Sequence, residues 1–132
     1  MRARIEHVNI TVGDPDGSAA LLERLFGWQV RWAGPSMGGG RTVHVGTEDQ
    51  YLALYGRPER SGEPHAWDKG LPLNHVAVVV DDLDETERRV IDAGLEPFSH
   101  GDYEPGRRFY FFDRDHIEFE VVSYAAKEQA VA

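Results

Sequence analysis

Near its start the chain alternates: Val8, Ile10 and Val12 face one way, while His7, Asn9 and Thr11 face the other. Period-two alternation predicts a half-buried strand over residues 4–12. Asp14-Pro15 then offers a side-chain acceptor at a helix cap and a proline in the first turn. Leu21, Leu22, Leu25 and Phe26 fall on one helical face, and Gly27 supplies a left-handed stop. Short strand-like runs follow at 28–33, 41–46 and 51–55, separated by glycine or acidic turns. The predicted order is βαβββ.

The pattern then starts again. His75-Val76-Ala77-Val78-Val79-Val80-Asp81-Asp82 echoes His7-Val8-Asn9-Ile10-Thr11-Val12-Gly13-Asp14 at an offset of 68 residues, and His, Val, Val and Asp coincide. After the helix the offset becomes 67, pairing Gly27 with Gly94 and Arg41 with Arg108. A repeat of this length is one supersecondary unit used twice. The second unit is expected as a strand over 73–80, a helix from a capping box at Asp82 and Glu85 to Gly94, and strands over 96–100, 107–112 and 117–123. Residues 57–70, rich in Pro, Gly and charge, read as a linker.

Composition narrows the chemistry. The chain has 132 residues, one domain by size or two small modules sharing a core, and 14 basic against 23 acidic residues give a formal charge of −9. That balance argues against nucleic acid or an anionic membrane as partner. No apolar run spans a bilayer and no signal-peptide core is present, so a cytoplasmic location is the default expectation. There is no cysteine, which leaves any metal to histidine and carboxylate.

The alternation places His7 and His75 on the faces opposite their valines. In the final strand Ile117, Phe119 and Val121 take the helix side, so Glu118 and Glu120 face the other way. Two neutral imidazoles and one carboxylate are the donor set of a facial triad with open positions, suited to Fe(II) and also to Mn, Ni, Co or Zn.

These stretches resemble the vicinal oxygen chelate superfamily, which includes glyoxalase I, extradiol dioxygenases, methylmalonyl-CoA epimerase, fosfomycin-resistance proteins and bleomycin-binding proteins. The resemblance covers roughly residues 4–124. It rests on "HVNITVGD", "LLERLFGW", "NHVAVVVDDLD" and "FYFFDRDHIEFEVVSY". It implies an α+β fold of two tandem βαβββ modules forming a half-open barrel cleft within a single domain over 1–132, with module 1 at about 4–56, linker 57–70 and module 2 at about 72–124. Counted from Asp113, it puts the ligand carboxylate on Glu120, with Arg114 and His116 where the family's turn has Pro and Gly. It implies one divalent ion, with Fe2+ first among the candidates, on His7, His75 and Glu120. At offset 67 from Glu120 lies Ala53, where glyoxalase I and the epimerase carry a carboxylate. The resemblance therefore points to the three-ligand branch: extradiol-dioxygenase-like chemistry on a small substrate bound through vicinal oxygens. The alternatives are a fosfomycin-type thiol transferase, a lactoylglutathione-lyase-like enzyme, and a non-catalytic, bleomycin-type sequestering protein. It also implies a homodimer; in some relatives module exchange draws the ligands from two subunits, so His7 is expected either from the same chain as His75 and Glu120 or from the partner.

Further site candidates follow from position. His44 faces the ligand side by alternation, but the offset of 67 matches it to Phe111 on the apolar side. Tyr110 faces the cleft if the last hairpin contains a bulge, and both are catalytic candidates. Asn9 and Thr11 share the His7 face and, with Tyr51, Tyr103 and Arg108, are candidates for substrate binding. Trp32 and Trp67 are candidate pocket walls. The run Gly34–Gly40 lacks the Lys-Ser/Thr of a phosphate loop and reads as a mobile loop at the cleft mouth.

Overall fold

The computed structural model describes residues 3–58, 68–103 and 106–124, with the side chain of Tyr103 outside that set. Trp67, most of the expected linker and the C-terminal tail lie outside the described residues. The chain divides into two compact units, Met1–His65 and Ala66–Ala132.

Unit 1 runs β1 (His7–Thr11), α1 (Pro15–Phe26), β2 (Gln29–Pro35), β3 (Arg41–Gly46) and β4 (Tyr51–Gly56). Its sheet has the order β1-β4-β3-β2, with β1 parallel to β4 and the other pairs antiparallel. Asp14 caps α1, its Oδ1 accepting from the Gly17 amide at 3.1 Å, and Gly27 ends the helix at φ 71°. The helix packs on β3 and β4 through Ala19, Leu22 and Leu25, which with Val43, Val45, Leu52 and Leu54 form the core. Truncating one of these leucines to alanine costs about 2–5 kcal/mol. Val8, expected in this core, is 42% exposed: β1 is an edge strand, and α1 packs on β3, β4 and β2. The Gly-rich run is a hairpin connection, closed by Ser36 N–H to Gly40 O at 3.0 Å and Gly39 N–H to Ser36 O at 3.2 Å.

Unit 2 repeats the plan with β5 (Val76–Val79), α2 (Leu83–Asp92), β6 (Phe98–Tyr103), β7 (Gly106–Phe112) and β8 (Glu118–Ser123), in the order β5-β8-β7-β6. Strand β5 is shorter than expected, and His75 immediately precedes it. Only half of the capping box forms. Asp82 Oδ1 accepts from the Glu85 amide at 3.0 Å, while the Glu85 carboxylate turns outward to Arg88 and Arg89. The core is Val78, Leu83, Val90, Phe109, Phe111, Ile117, Phe119 and Val121. Both sheets are mixed and carry one helix each, an α+β architecture. No helix among the described residues is long and apolar enough to cross a membrane.

The β7–β8 turn sets the register of the last strand. Asp113 Oδ1 accepts from the amides of Asp115 and Ile117, both at 2.9 Å. His116 takes the left-handed position at φ 64°, where glycine is the residue without a Cβ penalty, and stacks on Phe112 at 4.3 Å. The turn therefore forms without Pro and Gly. Burial pushes the Asp113 carboxyl up to about 6, with Asp115 adding repulsion against the amide hydrogen bonds.

The native state thus holds the Asp113 proton more tightly than the unfolded chain does. That contribution is complete below the ordinary carboxylate value of 3.8 and is lost as pH rises through about 6. Asp113→Asn keeps the Oδ1 acceptor and removes the buried charge. Its stability relative to wild type should rise between these pH values and level off at about 1–3 kcal/mol in favour of the variant. Urea unfolding of both proteins from pH 3.5 to 8 measures this, and parallel stability curves would mean that ionised Asp113 carries no burial cost.

Candidate functional site

Each sheet presents a polar face opposite its helix. In unit 1 the register runs Asn9↔Ala53↔His44↔Trp32, with His7↔Tyr51 as the row beside it. His44 therefore shares the His7 face, and alternation prevails over the offset of 67. The equivalent row in unit 2 is Ala77↔Glu120↔Tyr110↔Phe98, so the counterpart of His44 is Tyr110 rather than Phe111. The offset has shortened by one more residue between the third strands of the two units.

The rings of unit 1 form a continuous row, with His7, Tyr51 and His44 stacked and Trp32 tilted by 51° against His44. His7 lies 4.9 Å from Tyr51, Tyr51 lies 4.6 Å from His44, and His44 lies 5.1 Å from Trp32. A β-bulge between Val30 and Trp32 brings the Arg31 guanidinium 4.3 Å over the Tyr51 ring. Trp32 remains 48% exposed at the end of the row. Glu6 completes the group, with its Oε1 2.9 Å from His7 Nδ1 and 3.2 Å from the Tyr51 hydroxyl. Hydrogen bonds from His7 and then Tyr51 hold the Glu6 carboxyl below its usual range. Burial, then the nearby His7 and Arg31 charges, hold the His44 imidazole below its usual value, with Glu6 opposing them. Asn9 is exposed on the same face and Thr11 is half-buried.

Unit 2 gathers different chemistry. His75 Nε2 lies 3.0 Å from Glu120 Oε1, and the other Glu120 oxygen accepts from Arg108 Nη1 at 2.9 Å. The Glu120 and Arg108 side chains are only 10% and 12% exposed, so this is a nearly buried ion pair. Removing one partner of such a pair costs about 3–5 kcal/mol, because it strands the other charge. Arg108 is thus engaged by Glu120 and by the Gly106 carbonyl at 3.3 Å. Arg107 faces outward to Asp84 at 3.3 Å. On the far side of His75, Nδ1 lies 2.8 Å from Asn74 Oδ1, which also accepts from Lys69 Nζ at 2.6 Å. Glu118 faces the same way as Glu120, but its carboxylate meets Lys69 at 3.4 Å rather than His75. Tyr110 stands edge-on to His75 with ring centres 6.1 Å apart.

Two donors of metal-ligand type, an imidazole nitrogen and a carboxylate oxygen, therefore converge in unit 2 and suit a divalent ion. Among the described residues no cluster of three or more such side chains is assembled. The structure brings together His75, Glu120, Arg108 and Tyr110 in one unit, and His7, His44 and Tyr51 in the other.

The sequence profile of the Glyoxalase/Bleomycin resistance protein/Dioxygenase superfamily matches residues 4–121. The chain belongs to this superfamily. Superfamily structures share its fold at low identity. A glyoxylase/bleomycin resistance protein/dioxygenase domain from Frankia sp. EAN1pec superposes with a TM-score of 0.79 at 22% identity, covering 93% of this chain and 98% of that one. The fosfomycin resistance protein FosX from Mesorhizobium loti gives 0.72 at 24%, covering 100% of both chains. FosX from Listeria monocytogenes, solved with Mn(II) and a sulfate ion, gives 0.72 at 19%, covering 98% and 99%. No curated protein matches the chain in sequence.

Alternation alone did not reveal Glu6, Asn74, Lys69 and Arg31. The first two had a signal, since they are side-chain acceptors at the same repeat offset of 68, one residue before each histidine. Arg31 reaches Tyr51 through a bulge, which no periodicity marks.

The charges around His44 give a direct check. Arg31→Ala should raise the His44 titration midpoint by removing a nearby cation, and Glu6→Gln should lower it by removing a nearby anion. The imidazole Cε1–H shift followed by NMR across pH measures both, and shifts in the opposite directions would contradict the arrangement.

Proposed function

We propose that the protein is a divalent-metal-dependent enzyme acting on a small aromatic substrate through two neighbouring oxygens, with extradiol-dioxygenase-like chemistry. The observation that carries the metal is the approach of His75 Nε2 to Glu120 Oε1 at 3.0 Å, with Nδ1 already taken by Asn74. His7 is the third ligand, drawn from the same chain or from the partner in a homodimer. The domain reading is one catalytic domain made of both modules, with Fe(II) as the first candidate metal.

A bound ion supplies a Lewis acid and, as Fe(II), a site for O₂ activation. The protein's residues do the rest. Arg108 holds one Glu120 oxygen and so orients the other. His44, whose imidazole burial and the nearby His7 and Arg31 charges hold below its usual value, is the group offered to accept a proton from a substrate hydroxyl. Tyr110, beside His75, is placed to donate or accept a hydrogen bond at the same face. Trp32 offers the exposed ring face against which a planar substrate stacks. Ala53, at the position equivalent to Glu120, carries neither proton nor metal, which disfavours proton shuttling of the glyoxalase I type.

A second reading, fosfomycin-type modification, is favoured by the neighbours. A FosX variant from Listeria monocytogenes was solved with Mn(II) and 1S,2S-dihydroxypropylphosphonic acid, whose two hydroxyls are themselves vicinal oxygens. The two readings separate on substrate and on oxygen.

Protein purified without chelator should contain a divalent metal by elemental analysis. His7→Ala, His75→Ala and Glu120→Ala should each lower metal affinity by roughly 100-fold or more, and Glu118→Ala by much less. The iron-loaded protein should consume O₂ with a catechol in an oxygen-electrode assay, whereas fosfomycin turnover without oxygen would select the second reading. If all four variants bind metal as the parent does, these residues do not form the site.

A further inference from the structure

We propose that Glu6 and Asn74, the residues immediately before the two histidines, are positioning residues that fix each ring with Nδ1–H bonded and Nε2 free to bind a metal. This rests on the metal reading above and adds the devices that set ligand geometry. The two contacts are equivalent in the repeat: Nδ1 of His7 on Glu6 Oε1 at 2.9 Å, and Nδ1 of His75 on Asn74 Oδ1 at 2.8 Å.

An asparagine alone does not fix a tautomer, because its amide can rotate and offer a donor where it offered an acceptor. Here Lys69 decides the matter. Its ammonium has only donors and lies 2.6 Å from Asn74 Oδ1, so the oxygen must point to this place. His75 Nδ1 must then donate, and a neutral ring keeps its lone pair on Nε2. That lone pair meets Glu120 Oε1 at 3.0 Å, an acceptor facing an acceptor. A metal ion shared by the two atoms would relieve the conflict.

In unit 1 the acceptor is a carboxylate and needs no amide orientation. Glu6 Oε1 already accepts from the Tyr51 hydroxyl, and a carboxylate oxygen is an acceptor, so His7 Nδ1 donates to it. Tyr51, from a different strand, donates to the same oxygen at 3.2 Å and steadies it, as Lys69 steadies Asn74. Neighbours in sequence often touch by chance on an exposed strand. Two features argue against chance here: the same ring nitrogen is engaged in both units, and each acceptor has a second donor from elsewhere in its unit. The units differ in one respect. A carboxylate behind His7 makes that imidazole the more basic ligand, and a neutral amide behind His75 makes it the weaker one.

The test is Mn(II) affinity, measured by the loss of the free-ion EPR signal, together with NMR of the Zn(II)-loaded protein. Asn74→Leu and Glu6→Leu should each weaken Mn(II) binding by about 10–100-fold. Asn74→Asp, which restores an acceptor, should recover it, and a purely structural role would not predict that rescue. Lys69→Met should weaken binding by releasing the amide, and it tests the same lock should Asn74→Leu fail to fold. In the Zn(II)-loaded wild type both Nδ1–H protons should be visible and slow to exchange, and Asn74→Leu should lose that of His75 alone. If wild type binds Mn(II) and the Glu6, Asn74 and Lys69 variants bind it equally well, this proposal fails and the metal reading stands. If wild type binds no divalent metal, both fail.

Discussion

Each sheet has one helix to cover it, and that single-sided cover is the constraint from which the rest of the structure follows. A four-stranded sheet with a helix on one face must be apolar there and can be polar on the other. Strand alternation then sorts every side chain. In unit 1 Val43, Val45, Leu52 and Leu54 go to the helix, while His7, Tyr51, His44 and Trp32 are gathered on the opposite surface. A one-residue slip in pairing would exchange the two sets and bury the histidines against α1. Packing thus fixes the positions of the chemical groups without any group having to attract another.

The polar faces differ in how their charge is neutralised. Unit 2 pairs carboxylates with cations: Glu120 with Arg108, and Glu118 with Lys69. Unit 1 relies on an aromatic stack with a guanidinium on Tyr51 and a carboxylate at His7. Two copies of one plan carry a charged face in one unit and an aromatic face in the other. The duplicated backbone is preserved and the chemistry laid on it has diverged.

Much of this was legible in the residues. The βαβββ order, the caps at Asp14 and Asp82 and the faces of His7, His75, Glu118 and Glu120 follow from period and turn chemistry, which are local. Long-range register was harder to read. The match of His44 to Phe111 failed because an added shift between the third strands is invisible until pairing is known, and Tyr110 takes that place. Val8 carries the right pattern but lies on an edge strand away from the strands α1 packs against, and pattern does not report cover. The choice between Glu118 and Glu120 depended on a turn whose left-handed residue is His116, an identity that does not advertise such a turn. Lys69 became relevant only through a fold-back onto Asn74, which no spacing rule encodes.

The parallel pairing of β1 with β4, and of β5 with β8, has a consequence for how the chain is made. A strand that is the first of its unit to be synthesised has no partner until the last strand of that unit emerges. In the interval α1 or α2 and the intervening hairpin can form, but the histidine-bearing segment has only solvent along both edges. Closing that long loop carries an entropic cost that local pairs do not meet. The imidazoles therefore come into register late, when β4 or β8 slots between the first strand and the hairpin. Correct placement of either histidine is a mark of a completed unit, and a translation pause before the final strand would leave it unset.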